Sequence, residues 1–354
     1  MAIRLITVFF LFCALFVPSA LASSLDRARA ALDQDTPERA ESILSENIQP
    51  DSVSDEERDE LFFLLAETAR HYEHFSEAGN QLNRISDPFW GGMGYYNLAM
   101  AYLERESLSR TRVALRVVRS LAAGDGSLRG ADLVSRARIA EGLLALRQDD
   151  ARRAEQALSR VRTDSTLVSE GLYLLGIARA RNGSLHRALQ TWQRVARFPV
   201  AWPGVAEARL ARVWGYSESG HHGEALTTAE RNHAYLERSI ERLDGLREQV
   251  REHGLARLIR SELQGDQDLV EFLRGSRNHT RSPLIAWVLE YVADGGDPSV
   301  ESAKLDSGFL GFLADERERL VGFRDRNLRQ QALVYEQVAL RQTERPVQRG
   351  GWEI

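Results

Sequence analysis

Apolar residues recur along most of this chain at three- and four-residue steps, as at Leu172, Leu175, Gly176 and Arg179 to Ala180. That spacing places a single apolar stripe along one side of an α-helix. Asp and Ser stand where helices would start, as at Ser54-Asp55 and Ser76, and Gly or Asn-Gly stands where they would close. No segment sustains the period-two alternation with β-branched residues that a strand requires. The expected class is all-α.

Residues 226–253 read as one long, highly charged helix with Leu236, Ile240, Leu243, Leu246 and Val250 along one side. So narrow a stripe resembles a coiled-coil seam, and Gly254 is placed to end or kink the helix. Residues 255–342 read as further helices, separated near Gly265-Asp266, Arg277-Asn278 and Gly295-Gly296-Asp297-Pro298. Trp287, Phe309, Phe312 and Phe323 are their expected core material. Pro346 and Gly350-Gly351 predict a flexible tail over 343–354.

The helical pattern also repeats. Gly142 and Gly176 are 34 residues apart, and each is followed twelve residues later by an alanine, Ala154 and Ala188. The same pairing recurs as Ala28/Ala40, Ala66/Ala78, Ala99/Thr111 and Val213/Ala225. Successive units are offset by 38, 33, 43, 34 and 37 residues, the longest interval holding the loop insertion Ala122-Ala123-Gly124-Asp125-Gly126. A period of this size marks stacked helix pairs, none of which can bury its apolar face alone.

Over residues 24–232 this pattern resembles the tetratricopeptide repeat superfamily. The resemblance implies that the two small residues of each unit lie where helix A and helix B cross. It puts Tyr102 and Tyr216 at the aromatic site of helix A, and Gly183 and Gly220 at the turn between helices. Leu82, Leu115, Leu158 and Trp192 fall at the large site of helix B. Thr111 and Val213 depart from the small-residue rule, and no unit keeps the family's usual proline. The expected architecture is an α-solenoid of about six degenerate units over 23–232, followed by a long helix and a C-terminal helical region over 233–342.

The first residues have a different character. A short positive start at Met1 to Arg4, an apolar run from Leu5 to Val17 and the small residues Pro18-Ser19-Ala20-Leu21-Ala22 have the layout of a secretory signal peptide over 1–22. Its apolar run is shorter than the ~20 residues of a membrane span. The expected location is therefore the periplasm of a Gram-negative bacterium, with membrane attachment only if the signal segment is retained. Cys13 lies inside this segment behind Phe10-Leu11-Phe12, a poor context for lipid attachment, and it is the chain's single cysteine. The mature protein then has neither disulfides nor thiolate sites. A formal charge of −5 spread along the chain gives no basic footprint for nucleic acid. Lys304 is the only lysine, so the cationic surface is arginine, the better residue for bidentate contacts and aromatic stacking.

Catalytic signals are weak. His71 and His74 share a helical face at a spacing open to a metal, with Glu67 or Glu73 as a third ligand, but a solvated helix end feeding a turn is the better reading. His221-His222 lie between two glycines in a tight turn. The dipeptides Glu41-Ser42, Glu218-Ser219 and Glu301-Ser302 match the start of a lytic transglycosylase site, yet no lysozyme-like domain follows any of them. G-x-S-x-G, a phosphate-binding glycine loop and H-E-x-x-H are absent from the sequence. The expectation is a protein that is not an enzyme and uses no cofactor and no metal.

What remains is a groove. In the resembled family helix A faces the concave side, which implies a binding surface made of Phe63, Arg70, Tyr96, Met100, Leu103, Arg136, Ile139, Leu143, Arg147, Tyr173, Ile177, Arg181, Leu210 and Trp214. Aromatic, methionine and arginine side chains are enriched at interface centres. The competing reading is that these residues pack on neighbouring helices, or that the C-terminal helices fold back to fill the groove. The expected role is a periplasmic interaction scaffold for cell-envelope machinery whose partner is another protein or peptide segment. An accessory protein binding peptidoglycan or exopolysaccharide is the alternative. An enzyme with its site in the C-terminal helices ranks below both.

Overall fold

A computed structural model describes residues 24–47, 55–200, 202–255 and 302–344. The signal segment, the three expected breaks after Gly254, Trp287 and most of the tail lie outside the described residues. Among the described residues the chain forms thirteen α-helices and no strand. It divides into two compact units, Met1–Ala137 and Arg138–Ile354.

The first unit contains three helix pairs: α1 (Ser24–Asp33) with α2 (Pro37–Asn47), α3 (Asp55–His71) with α4 (Phe75–Leu82), and α5 (Pro88–Glu104) with α6 (Leu108–Ala122). Helix α7 (Leu128–Arg147) begins in this unit and ends in the second. The second unit continues with α8 (Ala151–Leu158), α9 (Val168–Arg181), α10 (Leu185–Val195), α11 (Val205–Glu218), α12 (His222–His253) and α13 (Ser302–Glu344). Some starts carry a side-chain cap, while Ser107 before α6 and Ser184 before α10 stand at the cap position without one. Asp87 accepts a hydrogen bond from Trp90 N at 2.8 Å, with Pro88 as the first helical residue, and Asp150 accepts from Arg153 N at 2.9 Å.

The small-residue register holds in all six pairs. Both members of each pair, Thr111 and Val213 included, are fully buried. At the two glycines the reason for smallness is visible. A Cβ on Gly142 would lie 2.5 Å from Leu158, and one on Gly176 would overlap the indole of Trp192. The large residue of helix B thus rests on the small residue of helix A, which is more specific than a general crossing point.

The turns follow one geometry. Seven residues after the small residue of helix A stands a residue with φ between 54° and 77°, namely Asp35, Glu73, Glu106, Asp149, Gly183 and Gly220. The amide of the next residue reaches back to a helix A carbonyl, as from Ser184 N to Arg179 O at 2.8 Å and from Asp150 N to Ala145 O at 2.9 Å. This left-handed cap satisfies the last carbonyls of helix A and starts helix B at once. The sequence signals only its two glycine forms. The other four turns use Asp or Glu, and Asp is tolerated in that region because its short side chain bonds locally.

The charged helix expected over 226–253 is α12, which begins at His222 and ends at Gly254, where φ is 75°. Its stripe meets α13, running antiparallel to it. Ala225 and Ala229 pack with Val334, Leu236 and Ile240 with Leu320 and Phe323, and Val250 with Phe309 and Leu313. Flanking ion pairs join Asp244 to Arg317 at 2.8 Å and Glu237 to Arg324 at 3.2 Å. Phe309 and Phe323 are core residues as expected; Phe312 is not, being 44 % exposed. Three positions from Phe309, it stands at the edge of the stripe that Phe309, Leu313 and Leu320 fill, not at its centre.

Candidate functional site

The second unit contains a groove of about 620 Å³ between α9, α11 and α13. Helix α9 contributes Tyr173, Ile177, Ala180 and Arg181. Helix α11 contributes Glu207, Leu210, Ala211 and Trp214, and α13 closes the third side with Phe323, Arg326 and Gln330. Trp192 of α10 backs the floor.

Trp192, Trp214, Arg181 and Arg326 are each supported by a neighbouring group. Trp192 donates from Nε1 to Tyr173 O at 3.1 Å and meets Trp214 edge to face, with ring centroids 6.2 Å apart. Trp214 is nevertheless 42 % exposed, so one side of it supports the core and the other faces the groove. Burial, helped by the charge of Glu207, raises the Tyr173 phenol above its ordinary pKa and keeps it a neutral hydroxyl. Arg181 donates to Leu146 O at 2.9 Å, a carbonyl in the last turn of α7 that also accepts from Asp149 N, and this bond anchors its guanidinium. Arg326 lies with its guanidinium carbon 4.0 Å from the centroid of Phe323.

Of the predicted groove residues, Tyr173, Ile177, Arg181, Leu210 and Trp214 come together here. Leu143, 37 % exposed, and the exposed Arg147 stand on α7 outside it. Ile139 is a correction: at 6 % exposure it belongs to a core cluster with Leu146, Leu158 and Leu174, so it holds helices together instead of lining a surface. Phe63, Arg70, Tyr96, Met100, Leu103 and Arg136 are half-buried members of the first unit. There Phe63 packs on Trp90 at 4.9 Å, and Arg70 is paired with Glu67 at 2.8 Å.

Sequence reasoning missed the whole α13 wall, Phe323 as a groove residue together with Arg326 and Gln330. A signal for it existed. Leu313, Leu320, Asn327 and Val334 recur at intervals of seven, the spacing of a second seam that would complement the one on α12. Of the C-terminal region expected to be able to fold back on the groove, α13 forms one side of it, and residues 256–301 lie outside the described residues.

A smaller recess, about 390 Å³, lies beside Glu155. Glu155 accepts from Arg179 and Asn182, each at 3.2 Å, and pairs with Arg187 at 3.0 Å. Burial would raise its carboxyl pKa, but these hydrogen bonds and charges outweigh burial and hold it below the ordinary glutamate value. This cluster ties α8 to α9 and α10. His71, of the candidate metal pair, sits 3.5 Å from Asp35, and burial with the charge of Arg70 lowers its pKa. Among the described residues no group of three His, Cys, Asp or Glu is placed to hold a metal.

No family model matches the chain, and no curated protein matches it. Solved structures with a similar course of the backbone include the apo form of RapI, at 10% identity and a TM-score of 0.42, covering 89% of this chain and 97% of that one. The apo form of the quorum sensor NprR from B. thuringiensis is 12% identical with a TM-score of 0.37, covering 88% and 86%. A Signal Transduction ATPase with Numerous Domains from Pyrococcus horikoshii, with a tetratricopeptide repeat sensor, is 13% identical with a TM-score of 0.34, covering 88% of this chain and 48% of that one. These likenesses are loose.

Proposed function

We propose that the protein is a non-enzymatic adaptor that holds a segment of another protein in the groove between α9, α11 and α13, and that it does so in the periplasm as part of cell-envelope machinery. The observation that carries the binding reading is Trp214, a large aromatic left 42 % exposed at the centre of a preformed, mostly apolar recess. Exposed aromatics in such recesses are the usual anchors of recognition. The location rests on the signal-peptide layout of residues 1–22 alone.

The test is affinity capture from periplasmic extract with wild type and Trp214→Ala, after thermal unfolding has shown that the variant is folded. A protein retained by wild type and lost by the variant is the expected result. Retention of the same protein by both places binding elsewhere and ends the groove reading. Retention of peptidoglycan fragments in place of any protein moves the role to glycan binding.

A further inference from the structure

Resting on that groove reading, we infer that the groove selects an acidic, apolar peptide segment, holding a carboxylate between Arg181 and Arg326 while an apolar side chain covers Trp214. The charge pattern of α13 carries this. Arg317, Arg319 and Arg324 are each held by a carboxylate, those of Asp244, Glu316 and Glu237 respectively. Arg326 is the arginine of α13 that lines the groove; it is exposed, is braced on Phe323, and pairs with no carboxylate among the described residues.

On the opposite wall Arg181 spends one N–H on Leu146 O and likewise has no carboxylate partner among the described residues. Two guanidinium forks that line one recess suit a carboxylate, which each can bind in bidentate fashion. Glu207 is the one acid of the lining, and its Oε2 is sealed from solvent. The recess is therefore locally positive in a chain whose formal charge is −5. Ile177, Leu210 and Ala211 supply aliphatic surface without hydrogen-bonding groups. Such a lining matches leucine or phenylalanine side chains better than sugar hydroxyls, which would be left unpaired.

Calorimetric titration of the mature protein decides it, using three nine-residue peptides blocked at both ends. They share one framework of leucine and phenylalanine and carry two aspartates, two asparagines or two arginines. The acidic peptide is expected to bind about tenfold more tightly than the neutral one, as for charge-assisted contacts at a partly open site, and the basic one least. Arg326→Gln should erase the difference between acidic and neutral peptides, and Arg181→Gln should reduce it. Equal binding of all three, weakened alike by Trp214→Ala, would overturn the charge rule and leave the groove reading standing. Preference for the basic peptide would overturn it in favour of Glu207. No binding of any of the three peptides would overturn both.

Discussion

Within a repeat, two helices meet at small residues twelve positions apart, so the contact is written within a few turns of chain. Along α12 and α13 they meet through residues such as Asn232 and Asn327, separated by 95 positions. In the repeats, fit is enforced by the absence of side-chain volume, as where the indole of Trp192 fills the space over Gly176. In the α12–α13 seam, alignment is enforced by a buried polar pair. Asn327 donates to Ala229 O at 2.8 Å, and Asn232 donates to Arg209 O at 2.9 Å and toward Asn327 Oδ1 at 3.4 Å. Steric fit tolerates no added atom, whereas a polar pair tolerates joint replacement better than the loss of one partner.

The sharpest way to break that comparison is Gly176→Leu. Its side chain has to displace Trp192, which is itself locked to Tyr173 O and to Trp214. The expected cost is more than ~3 kcal/mol, above the ordinary range for overpacking, because the obstructing atoms belong to a rigid, hydrogen-bonded ring. Urea unfolding should show a lower midpoint with an unchanged slope. A variant that unfolds like wild type would mean that the packing of α9 on α10 is not what sets the repeat.

Asn327→Ala comes next. It leaves the buried Asn232 amide without one acceptor and should cost about 1–3 kcal/mol. Replacing both asparagines by leucine should recover most of that loss, because a seam of matched apolar residues needs no internal partner. If the double variant is instead the less stable of the two, the seam depends on its polar pair for more than alignment.

This difference between the regions also explains what could be read in advance. The repeat period and its small residues follow from local spacing, and the family resemblance built on that spacing implies the helix A side chains Tyr173, Ile177, Arg181 and Trp214, so they were legible. Ile139 was misjudged because its position in helix A matches that of a groove residue, while it is buried in a cluster with residues of α7, α8 and α9. The Asp and Glu turns were invisible because a left-handed residue other than glycine has no strong composition signal. The α13 wall was missed for another reason. A seam names the kind of partner it needs but not which distant helix supplies it, and Arg326 acquires meaning only once Phe323 has been docked against α12.

The smallest expected effect compares ions in the two regions. Glu155 gathers Arg179, Asn182 and Arg187 within the repeats, while Asp244 and Arg317 join α12 to α13. Because the Glu155 carboxyl is held below its ordinary value, its ionised form favours the folded state. That contribution is complete above the unfolded glutamate value of ~4.3 and disappears as pH falls through the depressed folded value. Glu155→Gln should therefore lower stability at neutral pH by less than about 1 kcal/mol, since its arginine partners are partly exposed and screened. The gap between variant and wild type should close below about pH 4, where both states of the wild-type carboxyl become protonated. Parallel stability curves for the two proteins across that range would show that the cluster fixes the geometry of α8 against α9 without stabilising it.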